Sequence, residues 1–495
     1  MATIEELLSN VDLLLKKEPF YRGSKSFSVD DSIQGTEMVV GSKVLPNIPT
    51  LHKLAVSQET YTRELDPNCH NVLFDDNMPK ICVKLSDGSM KDVNFTAMGV
   101  PYQKRIREKQ TLVLSGNKTI HTLRGSNPSD KDKLNFAFFK ECWEDRNMDG
   151  MRTKAIYAQK GVGDCGLLFY FNRKGETRCR LISYEDRYVI ISHNDDNGDR
   201  MLECVYYEDS EGNKRIDCYD DKYHHKLYVG EDGLWKRESS PHGFNEIPLV
   251  TKRGSVAWDD VQLVIEVYEI IFNLFLVIQK RHGWGILYIR GRFKTQAEQI
   301  AGSIILNDTS IDGKGTAEFK TPPSPSGILE TLNLLEEVIM KGSSTTFLLP
   351  KDVKSSGDIS ALAIMLTQSL DLEGAKSGVI EWQNFMDKMT RLFKYGISKE
   401  LVNSGENKAA VTEFERLRIG TKLKEWRPFN ENEYNTMLAT MKGAGILSRK
   451  TAIEKNTVSA PDEESRIDQE EALAQKDNQQ AQQQQNASTE TGDNQ

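Results

Sequence analysis

The spacing of hydrophobic positions changes several times along the chain, and each change predicts a change of element. The opening segment, MATIEELLSNVDLLLKKEPF, repeats apolar residues at helical spacing with acids early and Lys16-Lys17 late. This predicts a short amphipathic helix, followed by an irregular arm to about residue 60. Between residues 60 and 130, alternating runs such as KICVKL and TLVLSG predict short strands joined by polar turns. From Lys131 to Gln159 the period lengthens again, predicting two helices. LLFYFN, CRLIS, YVIIS, MLECVYY and KLYVG then alternate at near-regular intervals with Gly, Asn and Asp between them. That is the pattern of an antiparallel β region, and it runs to Val250.

Helical spacing returns from about Trp258 to Lys280. GWGILYIRGRF, NDTSIDGKGT and TPPSPSG follow as a compact insertion, and Ile328 to Met340 forms a second, shorter helix. GSSTTFLLPKDVKSSG reads as a loop with glycine at both ends. Asp358 then caps a long helix reaching about Leu401, with Gly374 and Gly378 as expected kink points. Beyond it EFERLRI and LKEWRPF look strand-like, Glu431 to Lys442 helical, and the last residues, rich in Gln, Asn and Asp, disordered. The whole reads as an α+β chain.

Val261 to Ile278, VQLVIEVYEIIFNLFLVI, is apolar around almost its whole circumference and long enough to span a membrane. Glu266, Glu269 and Asn273 interrupt it, and a charge at mid-membrane costs roughly 2.5–3.5 kcal/mol. No second hydrophobic segment accompanies it. A helix buried by protein on several sides, with no membrane partner, is the expectation.

Charge sharpens this picture. The 495 residues carry a formal net charge of −9. Ser459 to Gln495 hold nine acids and two bases, net −7, which leaves −2 for the first 458 residues. A nearly neutral body with an acidic tail lacks the basic footprint of a conventional nucleic-acid binder. Seven scattered cysteines without C-x-x-C spacing fit free thiols in a reducing compartment. The N-terminal charge order is the reverse of a signal peptide's, so a cytosolic site of synthesis is expected.

Motifs that carry chemistry are few. Gly161, Gly163 and Gly166 match G-x-G-x-x-G, but the predicted order is helix before and strand after, opposite to that of a dinucleotide site. Gly445 to Thr451 ends like a phosphate-binding loop, yet Arg449 occupies the place of an obligatory glycine. His224 and His225 point to opposite faces of a strand and cannot share a metal, so two exposed histidines are expected. Asp195, Asp196, Asp199, Asp220 and Asp221 read as turn acids. No catalytic constellation, cofactor site or metal site can be singled out. This silence favours a structural protein. The rival, a packaging-associated nuclease or nucleotide hydrolase, would need a metal-carboxylate cluster or a phosphate loop.

Four blocks, taken in order, supply a resemblance. They are LNFAFFKECWEDRNMDGMRTKAIYAQKGVGDCGLLFYFNRKGETRCRLIS, RMLECVYYEDSEGNKRIDCYDDKYHHKLYV, FNEIPLVTKRGSVAWDDVQLVIEVYEIIFNLF and NEYNTMLATMKGAGILSRKTAIEKNTVSAPDEESRIDQEEA. The third contains FNEIPLV, which resembles an N-x-x-I-P-V-V element, before a long helix. The fourth contains G-x-(I/L)-S-x-x-T before an acidic D-x-x-x-E-x-x-R-I-like segment. From about Leu134 to Asp468 the chain resembles the portal proteins of tailed double-stranded-DNA phages, of the long-tailed type. Residues 40–130 do not match clearly and are expected to elaborate an outer wing.

The resemblance implies a dodecameric ring around a central DNA channel at one capsid vertex. Its parts would be a wing (1–257 with a long kinked helix, 358–410), a two-helix stem (258–281 and 328–341), a clip (282–327), a tunnel loop (342–357), a crown (411–470) and a disordered tail (471–495). The ring would dock the terminase large subunit, then head-completion or tail adaptor proteins, and contact major capsid and scaffolding proteins. Double-stranded DNA would pass non-specifically in packaging and ejection. The expected location is the virion, after assembly in the host cytoplasm.

Within that frame, Glu266, Glu269 and Asn273 form one helical stripe expected to face a water-filled channel. Lys351 and Lys354 are expected to reach phosphates from the tunnel loop. Trp284, Tyr288, Arg290 and Arg292 in the clip are candidates for partner contacts or for the ring's own interface.

Overall fold

A computed structural model describes residues 3–22, 38–40, 43–45, 54–74, 81–84, 89–93, 97–125, 128–282, 286–290, 304–308, 316–320, 326–347, 369–426, 431–455, 465–470 and 472. The chain divides into two compact units, 1–347 with 368–426, and 348–367 with 427–495. Lys351, Lys354, Trp284 and Arg292 lie outside the described residues.

The first unit begins with α1 (Ile4–Ser9) and α2 (Val11–Leu14). The expected single N-terminal helix is broken at Asn10, whose side chain caps the second helix through the Leu13 amide. Then come β1 (Phe20–Arg22), β2 (Met38–Val40), β3 (Lys43–Leu45), β4 (Leu54–Val56), α3 (Gln58–Leu65), β5 (Ile81–Lys84) and β6 (Met90–Val93). They are followed by α4 (Tyr102–Ser115), β7 (Ile120–Leu123), α5 (Asp130–Asp145) and α6 (Met148–Val162).

The β region comprises β8 (Asp164–Phe171), β9 (Thr177–Ile182), β10 (Val189–Asn194), β11 (Arg200–Glu208), β12 (Lys214–Tyr219), β13 (Tyr223–Val229), β14 (Trp235–Pro241) and β15 (Leu249–Arg253). After it come α7 (Gln262–His282), β16 (Ile286–Arg290), β17 (Ile304–Asp308), β18 (Thr316–Lys320), α8 (Ser326–Gly342), α9 (Ser369–Asn403), α10 (Lys408–Arg416) and β19 (Ile419–Lys422).

Strands β10 to β14 form a five-stranded antiparallel meander, and β15, β8 and β9 a three-stranded sheet. The period-two pattern gives the meander two apolar faces. Ile191, Leu202, Cys204, Ile216 and Leu227 pack under Leu7, Leu8 and Leu14 of the N-terminal helices. Ile190, Val205 and Tyr219 pack against Ile182, Ile247 and Leu249 of the three-stranded sheet. The largest core gathers Phe139, Trp143, Trp382, Phe393 and Phe414 around α9. Strands β16, β17 and β18 form a separate sheet in which β16 and β17 run parallel.

Several expectations change. TLVLSG falls within α4 rather than a strand. Its Val113 and Leu114 continue the helical spacing begun by Tyr102 and Ile106, all four being buried. Six residues are too short a window to separate the two periods. EFERLRI is mostly α10, with Val411 and Phe414 turned into the core, and only Ile419–Lys422 is strand, paired with β7. Residues 411–426 therefore pack with the first unit.

Gly374 and Gly378 do not break α9. They are places of close approach: a Cβ would meet the Ser344 Cβ at 2.9 Å and the Leu114 Cδ2 at 2.7 Å, respectively. In the second unit, α11 (Glu431–Gly443) precedes α12 (Arg449–Lys455), and Ser448 accepts from the Thr451 amide at 3.2 Å. The phosphate-loop-like run is thus a capped helix start.

Gly378→Leu should overpack the α4–α9 contact and lower stability by about 1–3 kcal/mol in urea unfolding. Gly327→Ala, at an open helical position, should leave stability unchanged to within about 0.5 kcal/mol or raise it.

Candidate functional site

The feature that organises the long apolar helix is its polar stripe. Gln262, Glu266, Glu269 and Asn273 are spaced by three and four, so they share one face of α7. Residues of α3 to α4 and their connections close over that face. The Gln103 Nε2 donates to the Gln262 Oε1 at 3.1 Å, and the Asn71 Nδ2 to the Glu266 Oε1 at 3.2 Å. The Glu269 carboxylate accepts from the Val100 amide at 2.7 Å and from the His70 Nδ1 at 2.6 Å. Asn273 accepts from the Met98 amide at 2.8 Å and donates back to the Met98 carbonyl at 2.9 Å.

Glu269 and Asn273 are fully buried. The expectation that they face a water-filled channel is overturned, because this chain's own residues 70 and 98–100 cover them. Glu266 keeps partial exposure. Within the described residues α7 has the length and composition to cross a bilayer, but its polar side chains are satisfied by protein.

His70 has two acceptors and no donor facing it, since its Nε2 lies 2.9 Å from the Glu64 carbonyl. Both ring nitrogens must donate, so the geometry selects the imidazolium. Burial is the largest single influence and opposes that charge, but the hydrogen bond to Glu269, the Glu269 charge and the Glu64 carbonyl and charge together outweigh it and hold the pKa above its ordinary value of 6.5. Beside it, Glu64 takes a bidentate pair from Arg22, at 2.9 and 2.7 Å, and a hydrogen bond from the Trp258 indole at 2.7 Å. The Arg22 Nε donates to Asp259 at 3.0 Å, just before α7 begins. Arg22, Glu64 and His70 went unrecognised because they lie at scattered sequence positions and share no motif.

The flank of α7 beside the stripe is apolar and open. Leu263 is 68 % exposed, and Val267 and Ile270 are exposed with it; on α8, Leu329, Leu334 and Val338 are exposed as well. The residues just after α8 are held against α9 and α4. The Thr346 amide donates to the Asp371 Oδ1 at 2.7 Å, and the Phe347 ring lies beneath the Arg105 guanidinium at 4.7 Å. Tyr288 and Arg290 lie on β16, in register with Glu318 and Thr316 of β18.

The remaining motifs have structural roles. Gly163 caps α6 at φ +86°, with Phe20 against it, and Gly161 and Gly166 sit close to Arg107 and Leu249. His225 is buried between neighbouring strands, bonded to the Ser239 Oγ at 2.7 Å and the Asp220 Oδ2 at 3.1 Å. The expected exposed pair is therefore corrected: β13 is an inner strand. Among the described residues no group of three or more His, Cys, Asp or Glu is placed to hold a metal.

Helices α7 and α8 leave one apolar flank uncovered, and the small mixed sheet of β16, β17 and β18 lies between them in the chain. The family model described as phage portal protein, SPP1 Gp6-like, matches residues 98–485. The chain belongs to this portal protein family. It is a family of structural proteins, not of enzymes. Among solved structures, a chain described as "Neck of empty GTA particle computed with C6 symmetry" aligns at 12% identity. The alignment covers 71% of this chain and 88% of that one, with a TM-score of 0.36. No curated protein matches the chain. The family match begins at residue 98, so it includes the Met98 and Val100 contacts on α7 but not His70 or Glu64.

The His70–Glu269 contact makes this portal-family chain's stability depend on pH. Because the folded pKa is raised, the contribution is fully present below about pH 6.5 and fades as pH rises through the folded value. His70→Gln should cost about 1–3 kcal/mol at pH 6. In urea titrations from pH 5.5 to 9, the gap from wild type should narrow as pH rises.

Proposed function

We propose that the chain is the subunit of a dodecameric portal ring at one capsid vertex, through which double-stranded DNA is packaged and ejected. The observation that carries this reading is the open apolar flank of α7 and α8 in a chain of the portal family. Burying an exposed leucine or valine stabilises by roughly 1.5–3 kcal/mol. A cyclic ring repeats one such head-to-tail contact until it closes. Side-by-side packing of stem helices would cover the flank in every copy.

In this reading the stem is α7 and α8, and the wing is residues 1–257 with the long helix over 358–410. The clip is 282–327, the tunnel loop 342–357, the crown 411–470 and the tail 471–495. Lys351 and Lys354 contact DNA phosphates from the tunnel loop, while Trp284, Tyr288, Arg290 and Arg292 meet partners at the clip. The terminase large subunit docks first and the head-completion or tail adaptor proteins later; the wing contacts capsid and scaffolding proteins. Assembly takes place in the host cytoplasm, and the finished ring belongs to the virion.

The charge distribution supports passage without grip. Each phosphate neutralised by a fixed cation releases a counterion and tightens binding, so a strongly basic wall would hold DNA. A body of net charge −2 avoids that.

The full chain should form rings with a central hole in negative-stain electron microscopy, with a native mass that is a multiple of 56.1 kDa. Leu263→Glu combined with Val267→Glu should yield monomers that keep the wild-type circular dichroism. A wild-type chain that stays monomeric, or a double variant that still forms rings, would overturn the proposal.

A further inference from the structure

Between α4, the end of α6, the β15–α7 connection, the end of α8 and the first turns of α9 lies a cavity of about 530 Å³. Small residues hold it open, among them Gly254, Ser255, Ser343, Ser344 and Ser377. Its walls carry Lys109, Lys160, Lys252 and Arg253, against Asp260, Asp371 and Glu381.

Most of these charges are already engaged. Lys109 faces Asp371 at 3.4 Å. Arg253 turns away to donate to the Glu18 and Pro19 carbonyls at 2.6 and 2.8 Å. Lys252 reaches only a neutral acceptor, the Glu381 carbonyl, at 3.1 Å. The Lys160 ammonium has neither a hydrogen bond nor an ion pair among the described residues. Burial lowers its pKa, and the Glu381 charge offsets this only in part. Two cations thus line a polar cavity with no counter-anion in contact. A desolvated ammonium without a partner is costly, and an anion bound beside it would remove that cost.

We propose that this cavity is a binding site for a small oxyanion of the phosphate class, held by Lys160 and Lys252. Both lysines offer point charges with several donors, and the Ser255, Ser344 and Ser377 hydroxyls supply further donors, a set suited to several oxygens on one centre; the Ser343 hydroxyl is already donated to the Ile339 carbonyl. The volume accommodates either free phosphate or a phosphate ester such as a nucleoside monophosphate. An unassembled chain carries every wall of the site, so the proposal stands apart from ring formation.

Calorimetry and thermal unfolding of the full chain test it, with orthophosphate and a nucleoside monophosphate titrated against chloride at matched ionic strength. Saturable binding with a rise in Tm is expected for at least one phosphate ligand, and the stronger of the two identifies the source. Lys160→Gln should weaken that binding by about ten-fold or more, the scale of one charge-assisted hydrogen bond, and Lys252→Gln should weaken it too. Without ligand, Lys160→Gln should be at least as stable as wild type, because it removes a partly buried ammonium that has no ion pair among the described residues. The exposed Lys214→Gln should bind as wild type does. A chloride effect equal to that of both phosphate ligands, or undiminished binding in both lysine variants, would overturn the site.

Discussion

The hydrogen-bonded seam along α7 is the constraint on which much of the first unit depends. A helix this apolar would ordinarily turn its few polar residues to water. Here Glu269 and Asn273 are buried, each matched by backbone groups of residues 98–100, and Glu269 by the His70 ring as well. A buried carboxylate without such partners would cost several kcal/mol. The seam therefore ties the helix to one orientation, and that orientation leaves Leu263, Val267 and Ile270 outside. The polar stripe and the open flank have one cause.

Around this seam the ion pairs have a common logic. Arg22, Glu64 and Asp259 join β1, α3 and the residues before α7, while His70 links α3's carbonyl end to α7 itself. Each charge has a geometrically specific partner, the condition under which buried ion pairs are tolerated. The loop after α8 is treated similarly. The Thr346 amide bonds to Asp371 of α9, and Gly374 lets Ser344 approach α9 closely. These close approaches, not flexibility, account for the glycines in the long helix.

The electrostatic balance takes on a different meaning in a portal-family chain. An acidic total seemed unsuited to a protein that handles DNA, yet most of the excess lies in the last 37 residues, from Ser459 onward. The body is close to neutral, which suits a surface that guides a polyanion without holding it. Lys160 and Lys252, neither of which has an ion pair among the described residues, line a cavity among small residues.

Much of this was legible in the amino-acid order. The two helices from Lys131, the β region, the two stem-like helices and the long helix each repeat their period over enough residues to be read, and four blocks in order pointed to the family. Shorter or doubly buried runs were not legible. TLVLSG and EFERLRI fit either period over a few residues, and only packing against α9 decided for helix. The stripe on α7 was correctly seen as one face, but its surroundings were assigned wrongly. Local sequence determines which side chains share a face; it cannot determine what covers that face. For Glu269 and Asn273 the cover comes from His70, Met98 and Val100, roughly 170–200 positions away in the chain. Only the tertiary structure brings them together.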